Sequence, residues 1–548
     1  MSDFRKGILL SAMALTGAGA AAQPVNQQLQ SSPPDERMNV LFISSDDLCS
    51  ALNAFGDPRV KTPNLDRLAQ MGVVFNRAYN QSPLSGPSRA SIMTGCRPDR
   101  TGVHDLSGKF RYAMPDAVTL PQLFKNNGYY AARVGKIYHA GVPSDIGQPG
   151  SDDPLSWTIA YNPIGRDRTD EYLLEGNTHT GTWMALDCND NEMTDGISAN
   201  VAISLLRSRY SNVGSAYGGP ARKDGPVRHA RNPFFMAVGF YRPHVPYIAP
   251  QKYFEMYPEV EIPENFEEEW LTKPDLARTN TSWNNGVSDE DCKNSVRAYY
   301  ASITFVDAQI GKLLDALEEL DLMDKTIIVF WSDHGYMLGD HGLWQKQNLF
   351  ERTAHQPLLI YAPGITDGRQ CNAVVETIDI YPTVAELAGL EVSDSIDGVS
   401  LKPLLENADL KWDHPAFTQQ ARTLFAEGQM NERMRSLTGG TRFMFNPALS
   451  DSNTTVFGRS VRTDRYRYTE WDEGREGVEL YDYVTDPDEH VNLAHNPDRK
   501  TRQLMDELSA LLHSSYDKEA IEETQKTIAR NRAIANQTLE PLYPKVTY

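Results

Sequence analysis

The chain has 548 residues, with 53 Lys and Arg against 73 Asp and Glu, a net charge of −20; 40% of residues are apolar and 23% charged. Such a composition belongs to a folded globular protein with ample core material, long enough for a large α/β domain and a smaller companion. The acidic balance excludes a general nucleic-acid binder, which carries a basic excess, and confines any polyanion to a local basic pocket.

Residues 1–22 read as a secretory signal peptide: Arg5 and Lys6 precede the apolar run Ile8–Leu15, and Ala20-Ala21-Ala22 before Gln23 meets the small-x-small cleavage rule. No cysteine stands at the cleavage point, which disfavours a lipoprotein, and 23–37 is a loose, proline-containing lead-in. No later segment approaches the roughly 18–20 continuous apolar residues of a membrane span, so the expectation is a secreted, periplasmic protein without one. The five cysteines (Cys49, Cys96, Cys188, Cys292, Cys371) contain no C-x-x-C pair and leave at least one thiol unpaired in a monomer.

A large α/β domain is expected over 38–405. Val40–Ile43 is a short apolar, β-branched run, the pattern of a strand buried on both faces. Thr62-Pro63 opens a helix as N-cap and N1, and Gly72 closes it. Pro87 suits the first turn of a helix that begins near Ser85, where exposed amides favour an anion. A weaker strand covers Tyr129–Val134, and the stretch Asp145–Asp195, rich in Gly, Asp and Asn, reads as an excursion over the site that shapes specificity. Further buried strands lie at Phe234–Val238, Thr326–Phe330 and Pro357–Tyr361; between them a long helix carries Tyr299, Ile303, Val306, Ile310, Leu313, Leu317 and Leu320 at steps of three and four. This alternation predicts a large mixed, mostly parallel sheet sandwiched by helices. Beyond it, 406–548 is expected to form a smaller α+β domain. Alternating segments such as Ser460–Thr463 and Tyr466–Thr469 predict an antiparallel sheet, followed by a polar helix from about Lys500 and an irregular tail.

Ionisable residues cluster just after the buried strands: Asp46-Asp47, Lys136 and His139, Arg242-Pro243-His244, and Asp333-His334. In such a sheet ligands bind outside the carboxyl ends of the strands, so these groups are expected to converge on one site.

The stretch Ser85-Gly86-Pro87-Ser88-Arg89, followed by Thr94-Gly95, resembles the signature of type I sulfatases, Cys/Ser-x-Pro-Ser-Arg with a later Thr-Gly. The resemblance runs over nearly the whole mature chain. His341-Gly342-x-Trp344-x-Lys346, Arg462-Thr463 through Trp471, and Glu479-Leu480-Tyr481 through Asp486-Pro487 look most like the iduronate-2-sulfatase branch. It implies an alkaline-phosphatase-like fold and a formylglycine (3-oxoalanine) made from Ser85 by a maturation enzyme, its hydrate serving as nucleophile. It also implies one divalent cation, Ca²⁺ before Mg²⁺, on Asp46, Asp47, modified Ser85, Asp333 and His334; three carboxylates without a cysteine ligand suit a hard ion. By the same carry-over Arg89 positions the hydrated aldehyde, Lys136 and Lys346 contact sulfate oxygens, and His139 is the base that collapses the sulfated intermediate. His244 is the general acid, with Lys346 its competitor. His104, Asp105, Arg242 and Trp344 are expected to line a sugar subsite. The chain departs from the pattern at Ser85, where cysteine is commoner, and at Arg242, where the iduronate branch leads one to expect lysine; His334 follows that branch, whereas sulfatases generally have Asn.

The function implied is sulfate removal from a sulfated oligosaccharide or polysaccharide, of glycosaminoglycan or algal origin, with a 2-O-sulfated uronic acid as the nearest candidate. The alternatives are a phosphoesterase using unmodified Ser85 and a non-catalytic sulfoglycan-binding protein.

Overall fold

The computed structural model describes residues 37–210, 232–280, 282–424, 443–444 and 454–539. The expected signal peptide and all but the last residue of the lead-in lie outside the described residues, as do 540–548 of the tail.

Eight strands build the main sheet: β1 (Asn39–Asp46), β2 (Val73–Tyr79), β3 (Tyr130–Gly135), β4 (Ile159–Tyr161), β5 (Phe234–Pro243), β6 (Thr326–Ser332), β7 (Leu358–Tyr361) and β8 (Arg369–Glu376), in the order β8-β2-β7-β6-β1-β5-β3-β4. Alternation along the central strands explains the two-sided burial. Leu41 and Ile43 of β1 join Ile328 and Phe330 of β6 under the helices Asp289–Glu319 and Thr194–Tyr210, while Val40, Phe42, Val329 and Trp331 enter the opposite core against the helices Ser85–Thr94, Leu120–Asn126 and Ile380–Leu387. Neighbouring strands pair in parallel, except that β7 runs antiparallel to both β6 and β2.

A second sheet, fully antiparallel, orders its strands as Phe443–Met444, Ala416–Leu424, Thr454–Arg462, Tyr466–Trp471 and Val478–Asp482. It joins the large domain through an apolar cluster in which Leu343, Leu349 and Phe350 meet Trp471 and Tyr481. The helix Arg499–His513 covers its other side through Leu508 and Leu512.

Several local expectations are corrected. Thr62 makes no capping bond; the buried Asp307 carboxylate accepts from the Asn64 and Leu65 amides instead, at 3.1 and 2.8 Å. Gly72 is required by close approach, since a Cβ there would lie 2.8 Å from the Ile360 carbonyl oxygen of β7. The tail is helical from Lys518 to Leu539: Asp517 accepts from the Glu519 and Ala520 amides, and Ile528 seats over Gly102. The stretch 145–195 is partly core. It supplies edge strand β4 and two strands, Glu175–Asn177 and Gly181–Leu186, in a three-stranded sheet with Tyr247–Pro250. All five thiols are free.

Among the described residues no helix is long and apolar enough to cross a membrane.

Candidate active site

The carboxyl end of β1 lies between those of β5 and β6, so Asp46-Asp47 falls beside His244 on one side and Asp333-His334 on the other. The helix Ser85–Thr94, buried along its whole length, points its first turn at the same place: Ser85 Oγ lies 3.1 Å from His334 Nε2, and Ser88 donates to the Asp333 carbonyl. On the far side of β5, Gly135 turns β3 away at φ +76, and a Cβ on Gly239 would lie 1.7 Å from the Lys136 carbonyl oxygen. That close backbone approach delivers Lys136 to the cluster.

Arg89 ties the site together. Its guanidinium, fully buried, bonds Asp46 Oδ1 at 2.9 Å, Asp333 Oδ2 at 3.1 Å and the carbonyls of Lys136 and Ile137. Lys136 Nζ takes the other oxygen of Asp46 at 2.5 Å, and Lys346 Nζ takes Asp47 Oδ1 at 2.5 Å. The backbone of Asp47 is left-handed (φ 62) and is fixed by its own amide on Asp333 Oδ1 at 3.0 Å and by Tyr299, whose hydroxyl donates to the Asp47 carbonyl at 2.6 Å. Gln345 and Gln347, either side of Lys346, are also left-handed (φ 68 and 75). Gln345 donates to the Thr178 carbonyl, and the Gln347 carbonyl accepts from Arg422 of the antiparallel sheet. Strained backbone of this kind persists where the surroundings hold it.

Acceptor atoms of His334, Asp47 and Asp333 face one another across the site. His334 donates Nδ1–H to the Gly335 carbonyl at 2.9 Å, which leaves Nε2 an acceptor for the Ser85 hydroxyl at 3.1 Å, with Asp47 Oδ1 and Asp333 Oδ2 at 3.3 and 3.5 Å. Asp47 Oδ2 is buried and has no hydrogen-bond partner. Acceptors converging in this way are what a cation satisfies, and Asp47, Asp333 and His334 can offer it ligand atoms from one small volume. Three carboxylates here face three cationic side chains, so a divalent ion would leave the pocket positively charged, as an anionic ester requires.

Electrostatics divides the carboxylates. Burial opposes ionisation of Asp333, yet the Arg89 guanidinium above all brings it down to about 2. Burial is likewise outweighed at Asp46, which Lys136 and Arg89 hold well below the usual range. At Asp47 burial prevails, reinforced by Asp46 and Asp333, and the carboxyl is pushed up. Burial lowers Lys136 despite Asp46, and burial with Lys136 nearby brings His139 down to about 3, so its ring is neutral; its Nδ1 is buried without a partner.

The four residues expected at a sugar subsite turn inward. Arg242 is fully buried and pairs with Asp167. Trp344 is 4% exposed and donates Nε1–H to Asn284 Oδ1, which removes it as a stacking platform. Asp105 closes its own turn by accepting from Ser107 and Gly108, and His104 packs edge-on against Phe457 with Nε2 buried.

The Sulfatase family model matches residues 38–390. The chain belongs to the sulfatase family. It is 30% identical over 533 residues to a sulfatase of Formosa agariphila (93% of this chain, 90% of that one), and 30% identical over 525 residues to human iduronate 2-sulfatase (85% and 90%). The solved phosphonate monoester hydrolase of Agrobacterium radiobacter superposes with a TM-score of 0.65 at 25% identity, over 87% of this chain and 95% of that one. This sulfatase is therefore a sulfuric ester hydrolase on an alkaline-phosphatase-like fold.

A separate group, Glu269, His341 and His490, also brings three ligand-type atoms together. Its cation is already present: Lys273 Nζ lies 2.9 Å from Glu269 Oε2 and 3.2 Å from His341 Nδ1, over the Phe350 ring. Burial works against the Glu269 charge, but His341 and Lys273 bring its carboxyl down to about 2 from 4.5. A depressed acid contributes stability above its unfolded value and loses it as pH falls toward the folded one. Glu269→Gln is therefore expected to cost about 3–5 kcal/mol at neutral pH, since it strands a buried ammonium. The gap between the two proteins, read from urea midpoints, should shrink as pH drops from 4.5 towards 2. A pH-independent gap would contradict the assignment.

Proposed function

We propose that this sulfatase removes sulfate from a sulfated carbohydrate, with a 2-O-sulfated uronic acid as the substrate class, using an oxidised Ser85 and one Ca²⁺. The observation that carries the reading is the meeting of Ser85 Oγ, the acceptor Nε2 of His334 and the Asp47 and Asp333 carboxylates beneath two lysine ammoniums. The likeness to human iduronate 2-sulfatase supports the sugar class. A hydrated formylglycine at 85 would supply one hydroxyl as nucleophile towards sulfur and a second whose proton could be withdrawn to expel sulfate as the aldehyde re-forms, which a plain serine ester lacks. Asp46, Asp47, residue 85, Asp333 and His334 would hold a Ca²⁺, which would supply positive charge for the sulfate oxygens.

The chain's own side chains do the rest. Lys136 and Lys346 present ammonium charges to the sulfate oxygens. Arg89 holds Asp46 and Asp333 at their separation and balances their charge. His139, neutral and with Nδ1 free, accepts the proton of the second hydroxyl. His244 gives a proton to the departing sugar oxygen.

A phosphoesterase with two metals is the weaker reading. The other ligand grouping at the site, Asp46, Asp47 and His244, shares Asp47 with the first, and its two carboxylates are already taken by Lys136 and Lys346. The leader-like residues 1–22 support export to the periplasm, with maturation of Ser85 by a formylglycine-generating enzyme.

The test is turnover of a panel of defined sulfated disaccharides and of matched aryl sulfate and aryl phosphate. Sulfate release from a 2-O-sulfated uronic acid is expected, abolished by chelation and restored by Ca²⁺. Preference for the aryl phosphate, or full activity in excess chelator, would overturn the proposal.

A further inference from the structure

Arg242 was expected at the sugar but lies inside the protein, and the bonds it makes there end on His244. Its Nη2 pairs with Asp167 Oδ2 at 2.9 Å, both side chains being buried. Its Nη1 donates to the His244 carbonyl at 3.0 Å and to the Pro246 carbonyl. Between these two anchored carbonyls lies that of Val245, which accepts Nδ1–H of the His244 ring at 2.6 Å. The ring's other nitrogen, Nε2, then faces Asp47 Oδ2 at 3.6 Å. Asp167 is itself fixed, accepting from the Thr194 amide at 2.8 Å and hydroxyl at 2.7 Å, and Asp195 accepts from the amides of Tyr241 and Arg242.

We propose that Arg242 and Asp167 are positioning residues for His244. The inference rests on the reading above, in which His244 faces the ester. A buried ion pair is a poor source of stability compared with apolar side chains of the same volume. What a forked guanidinium does that an apolar residue cannot is hold two carbonyls of one turn at fixed separation while a carboxylate fixes the fork. The turn held here is the one that orients the imidazole. Asp167 comes from the short helix Arg166–Thr169 within the 145–195 stretch, so that stretch acts on the chemistry through the backbone of residues 244–246.

The test is a double-mutant cycle on a sulfated disaccharide, with a magnetic-resonance measurement that needs no turnover. Arg242→Gln is expected to lower kcat about 10²-fold with KM little changed, the scale of a misplaced catalytic group. In a His244→Gln background the same substitution should cost little further, because the residue it positions is gone. Arg242→Lys should restore part of the loss. An equal loss in both backgrounds overturns the inference. In protein carrying ring-¹⁵N histidine, at one fixed pH, the His244 signals should report the Nδ1–H tautomer and change to a mixture in Arg242→Gln and Asp167→Asn. Unchanged His244 signals in a folded variant overturn it, as does unfolding of both variants, which would make the pair structural only. A wild type without sulfate turnover sinks the functional reading, while the resonance measurement still judges the positioning.

Discussion

Ser85→Ala is expected to remain folded and to lose sulfate-ester turnover by roughly 10⁴–10⁶-fold, the range seen when a hydrolase loses a member of its nucleophilic machinery. Folding is preserved because the position is the first residue of a buried helix, alanine is the better helix former, and only one hydroxyl is removed. The one bond lost is that to His334 Nε2 at 3.1 Å, a donor that the approach of a cation would displace in any case. Activity should follow the fraction of chains in which residue 85 has been oxidised, a change that makes the peptide lighter by two hydrogens. Preparations differing in that fraction, measured by peptide mass, should fall on one line through zero when kcat is plotted against it. Sulfate turnover by protein whose Ser85 is wholly unconverted would remove the aldehyde from the mechanism.

The positions of the chemistry-bearing residues were legible because continuous apolar strands announce themselves and the groups after them must emerge at the carboxyl edge. β1, β5 and β6 were each visible as apolar runs, and Asp46-Asp47, His244 and Asp333-His334 do meet. Strand direction was not legible. Pro357–Tyr361 has the same apolar character as its neighbours, yet β7 runs against them, since a strand buried on both faces reads alike in either direction. Nor does position at a strand end fix which way a side chain turns. Arg242 and Trp344 stand beside site residues in sequence but find partners inside, Asp167 and Asn284, that lie 75 and 60 residues away. Tyr299 shows the opposite case. Its place in a helical repeat marks it as core, and its ring is buried, but its hydroxyl carries the Asp47 carbonyl. Long-range partners of this kind leave no local signal.

His244→Gln is expected to separate substrates by their leaving groups. On a sugar sulfate, whose alkoxide needs a proton as the bond to sulfur breaks, kcat should fall about 10²–10⁴-fold, the usual contribution of a general acid. On an aryl sulfate whose phenolate leaves unaided, the fall should be far smaller. Burial, with Lys346 and Lys136 close by, pushes the His244 imidazole well below its ordinary value, so the free enzyme holds the ring neutral with Nε2 bare. The sulfate charge entering the pocket favours the protonated ring, and more acid solution does the same. With the wild type, kcat/KM for the sugar sulfate should therefore rise as pH falls, until the metal carboxylates protonate; with the variant that rise should disappear. Lys346 is the competitor for the role, but its Nζ is already bonded to Asp47 Oδ1 at 2.5 Å. A Lys346→Met variant should accordingly lose activity on alkyl and aryl sulfates alike, as a contact to sulfate and Asp47 would. If instead Lys346→Met spares the aryl ester and His244→Gln harms both esters equally, the proton comes from the lysine and the two residues exchange roles.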